Sequence, residues 1–508
     1  MRIKKCIAVA IFICYSLQSV SQKRGNVWTF GHQAAIDFNS GMAIPDSSVV
    51  ISRGSCASIC DTTGQLLFYA AYDTSCFHAG VKPGHIYNKN NLTMQNGDSL
   101  KCGAWYYEMV IIPFPNSDSL FYVFSIGVTT FYGLYYSIVD ISQNGGLGAV
   151  IQKNVQLQSF KMVDCLAAIK HGNGRDWWII FRKKENNPNA GNDEYYEYLI
   201  TPNGISNLIV QNVGSVNTTN SGNIEFNKAG NKLMYTNIMG LMEYYDFDRC
   251  TGVLSNPQTI FPEQTFPFSR YFWDGQFSPS GNLFYTTMMW DSCYLVQYNL
   301  QAANIPASAD TLWHTYSHLN SFGQLKLAPD NKIYLSSWYA NSLQFPYPYA
   351  DSMYNVYNMN LSVINSPDSL GALCNFQPYS FYLGGKRTYL GLPNNPDYDM
   401  PRLQGSSCDT VLWTGSPPAP KGGEKAELHT TYVSDWQKLF VNAQNLKGRN
   451  VTLKVYDLNG RVVYSSSQKT QPPYFTQDID ISSFSSGMYV VSLETEMEVM
   501  NKKFVKAP

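Results

Sequence analysis

FSPSGNLFYTT, Phe277 to Thr287, decides the architecture: one strand, a Ser-Pro-Ser-Gly turn, then a second strand ending in aromatic and β-branched residues. Related hairpins recur as ASICDTTGQLLFYA from Ala57, VIIPFPNSDSLFYVFS from Val110, AAIKHGNGRDWWIIF from Ala167, IEFNKAGNKLMYTN from Ile224 and LKLAPDNKIYLSS from Leu325. Their starts lie roughly 50 residues apart, the period of propeller blades and too long for a helical solenoid. Each unit carries a second half with two more strands, as in GLYYSIVDISQNGGLGAVIQKNVQL from Gly133 and MEYYDFDRCTGVLSNPQTI from Met242. Asn-Gly and Thr-Gly in these turns supply the positive φ that hairpins need.

The pattern predicts an all-β chain: a seven-bladed β-propeller closed by N- and C-terminal strands, followed by a small C-terminal β-sandwich. Six units run from Ala57 to Pro367. VWTFGHQAAIDFNSG from Val27 and the following MAIPDSSVVIS read as an outer strand pair, and FQPYSFYLGGKRTYLGLPN, Phe376 to Asn394, as an inner pair. The two chain ends are therefore expected to share the seventh blade, which would remove the free sheet edges of an open array.

Composition agrees with strands, because 36 Tyr, 27 Phe and 10 Trp suit a pleated surface. A net charge of -1 with 14% charged residues leaves no basic footprint for nucleic acid or an anionic membrane. Arg2, Lys4 and Lys5, the apolar run Cys6 to Tyr15, and Ser19-Val20-Ser21 read as a secretory signal over residues 1–21. No stretch reaches the roughly 18 apolar residues of a transmembrane helix. The expected propeller spans 25–410, a Pro/Gly-rich linker 411–428, which includes TGSPPAPKGGE, and the sandwich 429–508. Of 11 cysteines, Cys6 and Cys14 leave with the signal, so an odd number remains and at least one is unpaired in a monomer. Cys56 and Cys60 share a strand face about 13 Å apart, too far to bridge without a bulge.

In the last domain, KVYDLNGRVV, IDISSFSSGMYVVSLE and the terminal KKFVK resemble the C-terminal sorting domain of the bacterial type IX secretion system over about Tyr432 to Lys506. That resemblance implies export of a folded cargo across the outer membrane, with the secretion machinery as partner and a secreted or cell-surface location. GNVWTFGHQAAIDFNSG, ASICDTTGQLLFY, YSIVDISQNGGLG and YLGLPNNPDYD with GSSCDT are similar to propeller-type ectodomains that precede such sorting domains. The likeness implies fold and export and no enzyme activity.

No G-x-S-x-G, H-E-x-x-H, P-loop or dinucleotide fingerprint occurs. His314 and His318 share a strand face, and Asp246 and Asp248 sit in a hairpin turn; both pairs read as structural, and neither a metal nor a cofactor is expected. Ser58, Asp61, Gly64 and Phe68 come near a sialidase-type Asp-box, but the serine-to-aspartate spacing is one too long, so Asp61 is read as a turn residue. Recurrent Asp-Ser/Thr pairs either make turns or resemble the O-glycan acceptor motif of bacteria that use type IX secretion.

In a propeller the residues just before each innermost strand ring one mouth of the central channel. The repeat register thereby names ligand-binding candidates: Arg53, Trp105, Tyr106, Tyr107, Glu108, Asp164, Asn223, Arg270, Tyr271, Trp273, Asp274 and Asn320. Aromatic faces beside polar groups suit carbohydrate or peptide surfaces. The expected function is non-enzymatic binding of a glycan or surface protein at this mouth. The alternative is a propeller-fold glycoside hydrolase or lyase acting on extracellular polysaccharide.

Overall fold

The computed structural model describes residues 23–72, 84–103, 105–129, 131–187, 190–265, 270–289, 292–316, 320–339, 349–409, 426–433, 437–444, 446, 450–469 and 475–506. The expected signal region, Cys76, His318 and most of the expected linker lie outside the described residues. The chain divides into two compact units, Met1–Val411 and Leu412–Pro508.

In the first unit, seven antiparallel sheets follow one another along the chain among the described residues. They begin with Val27–Phe30, Cys56–Cys60, Met109–Pro113, Ala167–Lys170, Gly222–Phe226, Phe272–Phe277 and Asn320–Leu327. Within a sheet the strands pair in chain order, as short hairpin turns dictate. In the fourth sheet, Ile209–Asn217 turns back to pair with Asn192–Thr201. The leading strands are short apolar runs, and Val27–Phe30, Cys56–Cys60 and Ala167–Lys170 are buried at every position, as expected of strands covered on both faces. Ile209–Asn217 alternates between exposed and half-buried positions, the signature of a strand with one face in water.

Aromatic pairs join consecutive sheets. Phe68 meets Phe121 at 5.4 Å, Tyr195 meets Tyr245 at 5.5 Å, Phe261 meets Tyr298 at 5.7 Å and Trp313 meets Phe376 at 6.1 Å between ring centroids. Trp28 of the first sheet lies 6.0 Å from Tyr334 of the seventh. One buried cluster draws Trp28, Phe30 and Ile36 together with Tyr69 of the second sheet and Leu361 of the seventh.

The expected sharing of a sheet by the two chain ends is corrected. Phe376–Tyr382 pairs with Asn360–Ile364 and completes the seventh sheet. Val27–Phe30, His32–Asp37 and Ile44–Ile51 form a sheet of their own. FQPYSFY carries a proline and alternates half-buried with exposed positions, which marks an edge strand. Val27–Phe30 is fully buried, so the N-terminal segment brings its own inner strand.

After the seventh sheet the chain runs as a strap along the leading strands. His32 N donates to Arg387 O at 2.8 Å, Gln324 N to Leu390 O at 2.8 Å and Asn394 N to Cys56 O at 2.9 Å. Tyr398 Oη donates to Ile111 O at 2.7 Å, and Lys170 Nζ donates to Tyr398 O. First, second, third, fourth and seventh sheets are thus all tied to one segment. Glycine is required where the strap passes: a Cβ on Gly391 would lie 2.1 Å from Gly54 Cα, and one on Gly323 2.1 Å from Leu390 O. The strap ends at a disulfide between Cys250 and Cys408, 158 residues apart. Closing so long a loop stabilises by about 5 kcal/mol in the chain-entropy account. The other described mature cysteines, Cys56, Cys60, Cys102, Cys165, Cys293 and Cys374, are buried thiols.

Among its described residues the second unit holds two sheets. Glu427–Val433, Lys438–Gln444 and Phe475–Asp480 form one, and Asn450–Tyr456, Val462–Lys469, Gly487–Thr495 and Val499–Lys506 the other. Leu439, Val441, Leu453, Val455, Val491 and Leu493 meet in one core.

Candidate functional site

The candidate residues at the starts of the leading strands converge, but inward, and Asn223, Trp273, Asp274 and Asn320 lie within those strands, whereas the repeat register places them ahead. Glu108, Asp164, Asn223 and Asp274 are at most 1% exposed. Asp164 accepts the backbone N–H groups of Tyr106 at 3.1 Å and Tyr107 at 2.7 Å. Glu108 accepts from Ser55 Oγ at 3.0 Å and from Trp105 N. Asp274 gathers three donors: Tyr107 Oη, Asn223 Nδ2 at 2.7 Å and Leu325 N at 2.6 Å. Third, fifth, sixth and seventh sheets are linked through that one carboxylate.

Beside these ties an aromatic group gathers, with Tyr106 buried and Trp105, Tyr271 and Trp273 half-buried. Tyr106 packs edge-on against Trp273 at 4.9 Å, and Tyr271 stacks on Trp273 at 6.4 Å. Arg53 donates to Tyr106 Oη at 3.1 Å with its guanidinium 5.5 Å from the ring centroid. Trp105 joins the same cluster. Arg270 turns away, its guanidinium lying 4.5 Å from the Phe261 centroid. Asn320 opens the seventh sheet, and its side chain lies outside the described residues.

Burial pushes the carboxyls up: Asp164 and Asp274 to about 7, Glu197 to about 8, and Glu108 well above the usual range, the last also through the charge of Asp164. Asp164, Asp274 and Glu197 hold their protons in the folded state until pH 7 to 8, whereas the unfolded chain releases them near 4. The folded state therefore binds more protons across that window, so stability is greatest at its acid end and declines as pH rises, by about 1.4 kcal/mol per pH unit per group. His32 opposes this as a single group: burial and Arg387 hold it down to about 4. Lys170, held down by burial to about 8, titrates above the window. Thermal unfolding is expected at a higher temperature at pH 5.5 than at pH 8, and an equal or reversed order would contradict this account.

The opposite ends of the leading strands frame a cavity of about 580 Å³. Its walls include Trp28, Ile169, Phe226, Phe277, Leu327 and Pro329, and its floor is the strap from Asn394 to Met400. Polar groups converge there. Gln276 Nε2 donates to Glu225 Oε1 at 2.6 Å, and Lys326 Nζ donates to Asn395 O at 2.7 Å. Lys228 Nζ donates to Asn331 Oδ1 at 2.7 Å at the rim, and Asn26 and Asn39 pair their carboxamides at 3.1 Å. Glu225 is half-buried and lines the cavity. Burial raises its carboxyl to about 7 against the opposing charge of Lys326.

Sequence reasoning missed this end because its floor comes from the strap, outside the repeat. The available signal was PNNPDYDM, a Pro- and Asn-rich run without strand alternation immediately after the last hairpin. Other candidates resolve into turns: Asp61 accepts from Thr63 N at 2.8 Å and Gln65 N at 3.0 Å, and Asp248 from Cys250 N at 2.8 Å. Asp246 pairs with Lys232 and accepts from Asn256 Nδ2. His314 packs on the Tyr294 ring.

A family model described as a secretion system C-terminal sorting domain matches residues 437–507. The chain carries a sorting tail. The protein is accordingly cargo of type IX secretion, secreted or attached to the cell surface, with the secretion machinery as its partner. Within the sorting tail, Lys506 buries its ammonium against Ile481 O at 2.8 Å and Phe484 O at 2.7 Å, closing the SSFSSG turn with the last strand. None of the curated proteins matches the chain. Among solved structures, Hsv2 of Kluyveromyces lactis is 8% identical with a TM-score of 0.37, covering 67% of this chain and 90% of that one. A Bacteroides uniformis protein named as a 6-phosphogluconolactonase is 10% identical with a TM-score of 0.34, covering 79% of this chain and 97% of that one. Overlaps this loose carry no argument about activity. No helix among the described residues is long and apolar enough to cross a membrane.

Proposed function

We propose that the protein is an exported binding module: a closed seven-bladed propeller over about residues 25–410, released from a signal over 1–21 and joined by the 411–428 linker to a sorting domain over 429–508. The cyclic packing of the first sheet against both the second and the seventh supports the closed ring. The module binds the end of a glycan chain in the cavity framed by Phe226, Phe277 and the strap. The observation that carries this reading is a 580 Å³ cavity in which carboxamides, Glu225 and Lys326 face apolar walls. A carboxamide offers both donors and acceptors, which hydroxyl-rich ligands need, and the volume lies in the range of small-molecule sites. At the other mouth Asp164 and Asp274 accept internal donors and, like Glu108, are at most 1% exposed, which favours the cavity as the place for a ligand.

Glycan-array binding by the full mature chain, followed by titration of the best binder, tests the proposal. Glu225→Gln and Lys326→Met are each expected to weaken binding about tenfold, a change of about 1.4 kcal/mol. Unchanged affinity in both, with the fold intact by circular dichroism, would place the site elsewhere. A hydrolase is the second reading, favoured by one observation: a cavity-facing carboxyl near 7 holds the proton a general acid must donate. Product from an extracellular polysaccharide, abolished by Glu225→Gln, would replace binding with catalysis.

A further inference from the structure

We infer that the Cys250–Cys408 disulfide is the point at which the first unit bears load from its sorting tail, shielding the strap from tension during export. Cys408 lies just before the boundary at which the second unit begins. Residues 401–409 are mostly exposed, whereas Arg387, Leu390, Leu392 and Tyr398 are at most 2% exposed. A pull from the tail therefore meets a weakly held stretch first and would peel the strap progressively from the leading strands.

The disulfide diverts that pull. Cys250 sits in the turn between Met242–Phe247 and Leu254–Phe261 of the fifth sheet. That turn is bound to its neighbour: Gly172 N donates to Arg249 O at 2.9 Å, Trp178 Nε1 to Arg249 O at 2.9 Å, and Arg249 Nε to Lys170 O at 2.8 Å. Tension entering at Cys408 passes into two sheets together, and the strap between Arg387 and Cys408 carries none of it. The same turn holds the strap's exit without tension, through Arg249 Nη2 to Pro401 O at 2.7 Å and Leu403 N to Gly172 O at 2.7 Å.

Single-molecule pulling on the full mature chain, held at its two ends, reads this directly. Oxidised molecules are expected to lose the sorting tail and then whole sheets, with no step between. After a reductant is added, an extra extension should appear before any sheet yields, on the order of 75 Å or less for the stretch 387–408. Hydrogen exchange without force supplies the second readout: on reduction the Leu403 amide should exchange at least tenfold faster and become less protected than the amides of the sheets. Cys250→Ser with Cys408→Ser should behave as the reduced protein does. An absent extra step in reduced molecules would overturn the inference, because the strap would then hold itself as firmly as the sheets. A Leu403 amide as well protected as those of the sheets after reduction would overturn it as well, since the strap would then open only with the whole fold.

Discussion

Asp274→Ala is expected to destabilise the first unit by about 4 kcal/mol or more. The substitution strands three buried donors at once, Tyr107 Oη, Asn223 Nδ2 and Leu325 N. Each unsatisfied buried group costs about 1–3 kcal/mol, and losses above 4 kcal/mol arise from few mechanisms, of which a broken buried network is one. Asp274→Asn keeps an acceptor on one side of the carboxamide but none on the other, so its loss should be smaller. Urea unfolding at pH 8, above the titration of Asp274 near 7, checks both values. A loss below 1 kcal/mol for the alanine variant would show that the network adjoins the fold without holding it.

Ending the chain at Thr414 removes the sorting tail and should reduce the protein found outside the cell or on its surface by well over tenfold. The first unit should accumulate in the cell envelope in a folded form, because the two units are compact separately and a Pro/Gly-rich boundary carries few contacts. Fractionation with a protease-resistance assay separates the outcomes. Export at the normal level would remove the sorting role of residues 437–507. A truncated unit that fails to fold in vitro would show instead that the two units depend on each other.

The hairpin repeat was legible because each leading strand is a short apolar run followed by a turn with positive φ, as at Gly64, Gly230 and Gly281. The sorting tail was legible for the same local reason, from DLNG and SSFSSG between alternating strands. Chain-end pairing was misread because FQPYSFY resembles an inner hairpin in composition, while its alternation and Pro378 belong to an edge strand. VWTF, only four residues long, gave little periodicity by which to recognise an inner strand. The repeat register identified residues at or just before the start of each leading strand, and Tyr106, Asp164, Asn223, Trp273 and Asp274 do come together. It could not indicate whether their polar groups face a ligand or each other. That depends on partners far away in sequence, such as the Tyr106 and Tyr107 amides that saturate Asp164. The cavity at the other end needed the strap, and no local pattern in PNNPDYDM states where that run docks.

Hydrogen exchange of the full mature chain, with and without the best glycan from the array, tests the placement of binding most directly. Protection is predicted to rise at Phe226 to Lys228, Lys326 to Asn331 and Asn394 to Asp399, around the cavity, and to stay unchanged at Trp105 to Glu108 and Arg270 to Asp274. Protection gained at the second pair of segments and absent from the first three would contradict the account and move the site to the aromatic mouth.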